Sequence, residues 1–261
     1  MKTDYTTVTE VPGSKVTQEQ LMRLFNRYQF TSGFCEAKDV LEVACGSGIG
    51  LGYLAKKANK VVGTDICEEN LKLASKHYKG IKNIETKRMD AHKLQFKEES
   101  FDVIILYEAI YYLKQPQDFV EEARRVLREN GTLIICTVNK DWEDFNPSPY
   151  SIKYFSAPEL FSLLKQEFPK VELYGAFSVA RNTTRDKIVS LVKRMAVNLH
   201  LIPKTMKRKE FLKRIFFGKL ITLPSEIKEG MVEYCQPVPI SCNNPNFEYK
   251  ILFAVGEKRL N

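Results

Sequence analysis

The sequence is short of long hydrophobic runs, of histidine and of tryptophan, and its cysteines are scattered. No uninterrupted apolar stretch approaches the roughly 20 residues of a membrane-spanning helix. Met1–Val11 lacks the apolar centre of a secretion signal, so a cytoplasmic protein is expected. The 6 cysteines (Cys35, Cys45, Cys67, Cys136, Cys235, Cys242) include no C-x-x-C pair, which argues against a zinc site or a disulfide framework. They read as small buried apolar residues or free thiols. The 3 histidines (His77, His92, His200) fall on helix or loop surface, and no metal site is expected. Internal repeats, Pro- or Gly-rich linkers and low-complexity tracts are also missing. What is present, 261 residues that are 44% hydrophobic and 28% charged, suits one large α/β domain with an appended subdomain.

The net charge of +8 is concentrated in one place. Residues 1–180 carry 24 Lys and Arg against 25 Asp and Glu, residues 181–219 carry 12 against 2, and residues 220–261 carry 4 against 5. A basic stretch confined to 181–219 points to an anionic partner, where uniform basicity would speak only of solubility. Within it Ile188, Leu191, Val192, Met195, Ala196 and Leu199 share one helical face, and Phe211, Leu212, Ile215 and Phe216 repeat the pattern. Basic amphipathic helices can rest on an anionic membrane surface or receive a phosphorylated substrate. The alternative is that their apolar faces cap a pocket and their charges stay in water. A peripheral membrane location therefore stands beside the free cytoplasmic one.

Along the chain, Leu21, Leu24, Phe25 and Tyr28 are spaced for one face of a helix over 17–29, with Thr17 as N-cap. Strands are predicted at 39–43, 60–65, 84–88, 101–106, 132–138, 171–177 and 247–255, and helices at 49–58, 68–78, 118–128 and 158–168. Alternating strand and helix argues for a parallel sheet covered on both faces. Between the fifth strand and the next helix, residues 139–157 hold Trp142, Tyr150, Tyr154 and two prolines, the composition of a substrate loop.

The chain is organised around Asp39 to Gly50, a buried strand running into a turn with Gly46, Gly48 and Gly50. Such a turn is shared by nucleotide, flavin and S-adenosylmethionine folds. A nicotinamide-binding fold fits less well: its fingerprint needs glycine or alanine where Leu51 stands, and an apolar residue where Glu42 stands. Read as bland structure, the glycines would simply make a tight turn and Asp65 and Asp90 would cap helices; three acids at three consecutive strand ends argue against that.

Taken together, Val40-Leu41-Glu42-Val43-Ala44-Cys45-Gly46-Ser47-Gly48, Asp65, Asp90-Ala91 and Phe101 through Leu113 resemble the class I S-adenosylmethionine-dependent methyltransferases, in their type 11 small-molecule branch. The resemblance covers residues 38–138 by motif and the remainder by topology. Ala44 departs from it, standing where the family usually has its first glycine. The resemblance implies a seven-stranded Rossmann-like sheet, parallel with an antiparallel last strand, helices on both faces, and a helical insertion between the last two strands. It divides the chain into a helical arm over the cofactor site (1–37), a cofactor-binding domain (38–177 and 247–261) and a basic insertion or substrate cap (178–246).

By that resemblance S-adenosylmethionine is the cofactor. Glu42, Ala44, Gly46 and Gly48 would face its methionine half, the Glu42 carboxylate meeting the ammonium directly or through water. Asp65 would hold the ribose hydroxyls, Ile66 and Met89 would sandwich the adenine, and Asp90 and Ala91 would read its edge. Leu106 and Tyr107 would lie near the methyl group. Methyl transfer asks mainly for alignment of the acceptor, with a base where the acceptor is a hydroxyl or a protonated amine. Glu108 is the first candidate base; Tyr107, Tyr111 and Tyr112 come behind it as candidates for positioning or for a hydroxyl contact, against the blander reading that they pack the pocket wall. Tyr28, Tyr112, Trp142, Tyr150 and Tyr154 are the candidate substrate contacts. A small or medium acceptor is expected, preferably a sugar or glycoconjugate. A quinone or other lipid comes next, and RNA after that. Nucleic acid is not the expected partner, because no N-P-P-Y-type motif follows the fourth strand. A non-catalytic cofactor-binding protein is the alternative of a different kind.

Overall fold

The computed structural model describes residues 9–179 and 220–259. Strand β1 (Lys15–Val16) is followed by helix α1 (Gln18–Ser32) and strand β2 (Asp39–Val43). Then come α2 (Leu51–Ala55), β3 (Lys60–Asp65), α3 (Glu68–His77), β4 (Ile84–Arg88), β5 (Phe101–Tyr107) and a 3-10 turn (Ile110–Tyr112). The rest is α4 (Pro116–Val126), β6 (Leu127–Val138), α5 (Ala157–Lys165), β7 (Lys170–Ser178), β8 (Ile221–Thr222), β9 (Val238–Pro239) and β10 (Tyr249–Glu257).

Eight strands form one sheet in the order β4-β3-β2-β5-β6-β10-β7-β9. β4, β3, β2, β5 and β6 run parallel, and β10 lies antiparallel between β6 and β7. This is the expected sheet with one addition, the two-residue β9 paired antiparallel at the β7 edge. A second small sheet pairs β1 with β8 and so ties the start of the described chain to its late part.

β2 lies at the centre, and its alternation sorts the two sides of the molecule. Val40 packs in one core with Leu24 of α1 and Leu51 and Leu54 of α2, while Leu41 and Val43 pack in the other with Phe119 and Val120 of α4. α1 begins with a reciprocal capping box: the Thr17 hydroxyl accepts the Gln20 N–H at 3.1 Å, and the Gln20 side chain accepts the Thr17 N–H at 3.0 Å.

Several boundaries differ from the sequence reading, β6 starting at Leu127 rather than 132 and α5 ending at Lys165 rather than 168 among them. α4 ends at Val126 rather than Arg128, because Leu127 pairs with Phe101 of β5 and its carbonyl accepts the buried Lys258 ammonium at 2.8 Å. α2 covers only Leu51–Ala55 of the expected 49–58. The two basic helices expected within 181–219 lie outside the described residues. The described remainder of the insertion, 220–246, holds β8, β9 and turns in place of helix. None of the described helices is long and apolar enough to cross a membrane.

The departure at Ala44 has a backbone consequence. Ala44 has φ 56°, a left-handed conformation, directly after β2. An L-residue there is disfavoured by about 1–2 kcal/mol, partly offset by glycine's greater entropy when unfolded. Ala44→Gly is therefore expected to stabilise the fold by about 0.5–1 kcal/mol, measured as a higher urea midpoint at unchanged slope. An unchanged or lower midpoint would show that the turn holds alanine without strain.

Candidate active site

The carboxyl ends of β2, β3, β4 and β5 open into a cleft of about 1340 Å³. It sits where the strand order reverses between β2 and β5, the place at which open α/β sheets leave room for a ligand. α1 supplies one wall through Gln20, Arg23, Leu24, Arg27 and Tyr28.

Glu42 lies deepest. The alternation that points Val40 toward α1 points Glu42 the same way, and its Oε1 accepts the Tyr28 hydroxyl at 2.6 Å. Its Oε2 is buried and has no partner among the described residues. Burial pushes the Glu42 carboxyl up to about 7, against the lowering influence of the Tyr28 hydrogen bond and Arg27, with Asp65 adding repulsion. Gly50 makes the Tyr28 contact sterically feasible: a Cβ there would come within 2.0 Å of the phenol ring.

Asp65 ends β3. Its Oδ2 accepts the Gly46 N–H at 2.8 Å and its Oδ1 the Cys67 N–H at 2.7 Å, so the glycine turn and the next helix both orient this carboxylate. Each oxygen keeps a lone pair for a further donor, the requirement for holding a diol. Burial raises the Asp65 carboxyl, opposed by these backbone N–H groups. Beyond it, Ile66, 48% exposed, and the buried Met89 both line the cleft. Asp90 accepts both the N–H and the ring Nδ1 of His92, at 2.9 and 2.6 Å. Burial works against the Asp90 charge, but those His92 bonds hold it below the ordinary carboxylate value.

At the end of β5 the chain reverses. Glu108 has φ 49°, and its N–H donates to the Cys136 carbonyl at 2.8 Å. Its Oε2 accepts the Tyr111 hydroxyl at 3.1 Å. Burial raises the Glu108 carboxyl, while Arg27, Arg23 and the Tyr111 bond pull it down. A carboxylate whose proton affinity is raised, held on a cleft wall, is a stronger base than an ordinary carboxylate.

The wall brings together Tyr28, Glu42, Ala44, Gly46, Asp65, Ile66, Met89, Asp90, Ala91, Tyr107, Glu108, Tyr111, Tyr112 and Tyr150. Four expected contacts lie elsewhere. Gly48 faces Ala74 of α3, where a Cβ would sit only 2.7 Å from the Ala74 methyl, so its bareness serves helix packing. Leu106 is fully buried in the α4-side core, because alternation along β5 turns it away from Tyr107. Trp142 stacks under the Lys250 ammonium, 5.6 Å from its ring centre. Tyr154 packs on Tyr111 with ring centres 4.8 Å apart and accepts from Ser148 and Ser151, which makes it a buttress one layer behind the wall. Tyr107 is on the wall, but its hydroxyl pairs with Thr31 and donates to the Arg27 carbonyl at 3.0 Å, so that group locks α1 onto β5.

Arg23, Arg27, Glu10 and His92 also line the cleft and were not singled out by the sequence. The available signal was the stripe Gln20, Arg23, Arg27 at helical spacing beside the apolar face of α1. His92, expected to be solvent-facing, sits at the rim: its Nε2 accepts the Gln115 N–H at 3.4 Å. Among the described residues no cluster of His, Cys, Asp and Glu suits a metal ion.

Residues 41–135 match the family model described as "Methyltransferase domain". A probable S-adenosylmethionine-dependent methyltransferase of Mycobacterium tuberculosis is 31% identical over 155 residues, 58% of this chain and 56% of the relative. A phthiotriol/phenolphthiotriol dimycocerosates methyltransferase of Mycobacterium ulcerans is 33% identical over 145 residues, 52% of this chain and 53% of that one. The chain thus spans little more than half the length of these curated relatives. Among solved structures, the YcgJ protein from Bacillus subtilis superimposes with TM-score 0.59 at 18% identity, covering 91% of this chain and 100% of that one, a likeness of fold. The sheet order, the acids at the ends of β2 and β3 and after β4, and the match agree: residues 41–135 form a methyltransferase domain, and the sheet around it is similar to that of the class I S-adenosylmethionine-dependent methyltransferases.

Proposed function

We propose that this protein transfers a methyl group from S-adenosylmethionine to an oxygen or nitrogen of a small or medium acceptor. The observation that carries the reading is the orphaned Oε2 of buried Glu42 on the cleft wall. A buried carboxylate without a cation is costly, and the methionine ammonium is the cation this cofactor brings. Asp65, with one lone pair free on each oxygen, fits the ribose diol, and Ile66 and Met89 fit the faces of a flat base. The bound cofactor supplies a methyl group on a sulfonium that leaves as a neutral thioether. Glu108 takes the acceptor's proton, and Tyr111 holds the carboxylate in place through its hydrogen bond. Tyr112 and Tyr150 line the acceptor side.

For the acceptor, we favour one with an apolar portion, of the quinone or lipid kind, over a plain sugar. Tyr150 and Ile152 stand 53% and 56% exposed on the cleft wall, an apolar surface that a sugar does not need. The relative named for a dimycocerosate lipid supports this. The basic stretch 181–219, which a phosphorylated sugar carrier would suit, lies outside the described residues.

Calorimetric titration tests the cofactor directly: S-adenosylmethionine is expected to bind and NADH to give no heat. Binding of NADH alone would overturn the reading. Turnover of detergent-dispersed quinone and lipid acceptors, compared with nucleotide sugars, then decides the acceptor class.

Glu42 gives a pH-dependent signature. Its raised carboxyl binds a proton more tightly folded than unfolded, so its contribution to stability is full below about pH 4.5 and declines as pH rises through about 7. Glu42→Gln is expected to lose S-adenosylmethionine binding yet melt about 5 °C higher than the parent at pH 8, with little difference at pH 4.5. A melting difference independent of pH would disprove the raised carboxyl. For Glu108, kcat is expected to rise with pH through a pKa above the ordinary carboxylate range, and Glu108→Gln to lower kcat by about 10²–10⁴ and flatten that limb. Unchanged turnover would remove Glu108 as the base.

A further inference from the structure

We propose that Arg27 binds the carboxylate of the cofactor's methionine moiety, and that Glu10 holds that position until the cofactor arrives. The proposal rests on S-adenosylmethionine being the cofactor and goes beyond it by naming the group that takes its anionic end.

The ammonium and the carboxylate of an amino acid share one carbon, so the residue that holds the first limits where the second can lie. Glu42 takes the ammonium, and it is fixed there by Tyr28, the neighbour of Arg27 in α1. Arg27 lines the same cleft as Glu42 and Glu108, and its guanidinium acts electrostatically on both carboxylates. The other cations on the wall are less suited. Arg23 is half-buried and paired with Glu19 one turn back along α1, while Arg88 and Lys114 are exposed. Arg27 is 6% exposed, and its Nε has no partner among the described residues. A guanidinium so placed needs an anion, and its fork has a position left to fill.

The anion it has is Glu10, 2.5 Å away. The Glu10 side chain is 41% exposed against 7% for that of Arg27, so the carboxylate is the partner that can leave. Glu10 belongs to a short segment lying over the glycine turn: its carbonyl accepts the Ser47 hydroxyl at 2.7 Å, and the Asn70 amide donates to Thr9 at 3.1 Å. The Thr9 methyl stands 2.8 Å from where a Cβ on Gly46 would be. Residues 9 and 10 therefore cover the bare backbone that a methionine moiety has to approach. Exchanging one carboxylate for another keeps Arg27 neutralised throughout, so no step leaves a buried charge alone.

Calorimetry with S-adenosylmethionine and with its decarboxylated analogue, which keeps the ammonium, sulfonium, ribose and adenine, tests the assignment without turnover. The parent protein is expected to prefer the carboxylate-bearing ligand by about ten- to a hundredfold. Arg27→Gln is expected to abolish that preference by weakening S-adenosylmethionine alone, and Arg27→Lys to keep part of it. Glu10→Gln is expected to tighten S-adenosylmethionine by about three- to tenfold and leave the analogue unchanged. Equal weakening of both ligands in Arg27→Gln would mean that Arg27 only supports the helix. If that variant does not fold, the parent's preference and the Arg27→Lys variant decide the matter, and a parent that binds both ligands equally overturns the proposal. A Glu10→Gln variant that binds no better overturns the exchange. A parent that binds neither ligand overturns the cofactor reading itself, a result distinct from all the others.

Discussion

A carboxylate in the floor of a protein has to be held by something, and here the hydrogen bond from Tyr28 to Glu42 does that and sets the rest of the site in place. It joins the helix that precedes the sheet to the central strand of the sheet. The ring passes over Gly50, so the glycine turn, the helix and the carboxylate share one contact surface. Tyr107 reinforces the junction from the neighbouring strand: its ring meets Tyr28 edge-on at 5.2 Å, and its hydroxyl binds the Arg27 carbonyl and Thr31. With α1 anchored at those points, Arg23 and Arg27 are carried into the cleft beside Glu108.

The two ends of the sheet differ in kind. At the amino ends of β2 and β5, Arg128 bridges Asp39 and Asp102 in partly exposed ion pairs of ordinary geometry. At the carboxyl ends, Ala44 and Glu108 are held in left-handed conformations, Glu42 is buried with an unpaired oxygen, and Asp65 is raised by burial. Left-handed residues also stand before the amino ends of these strands, at Ala37 and Glu99, so what sets the cleft end apart is the deeply buried Glu42 carboxylate with its unpaired oxygen. Such a group is expected at a site that spends stability on readiness for a ligand.

Much of this was legible in the residues. The apolar strands and their order of appearance, the acids at the ends of β2 and β3 and after β4, and the spacing of Leu21, Leu24, Phe25 and Tyr28 all follow short-range rules, and each has its counterpart in the structure. Tyr154 and Trp142 show where such reading fails. Both stand in an aromatic loop that reads as a ligand contact, yet one packs behind Tyr111 and the other lies under Lys250, more than a hundred residues away in sequence. Leu106 fails for a local reason, since alternation puts it opposite Tyr107 and hence in the core.

The sequence by itself determined the strand–helix alternation, the family motif and the identity of the acids, because these depend on residue type and on periods of two and 3.6. Only the tertiary structure decided which of these groups is starved of a partner. It left Oε2 of Glu42 unpaired, set Arg27 against Glu10, and turned the Tyr107 hydroxyl from a candidate for positioning the acceptor into a clamp. The physical reason is that the charge state and availability of a polar group depend on how far it is removed from water and on what faces it. In this fold those neighbours come from α1 and the segment before it, which no local pattern places over the sheet.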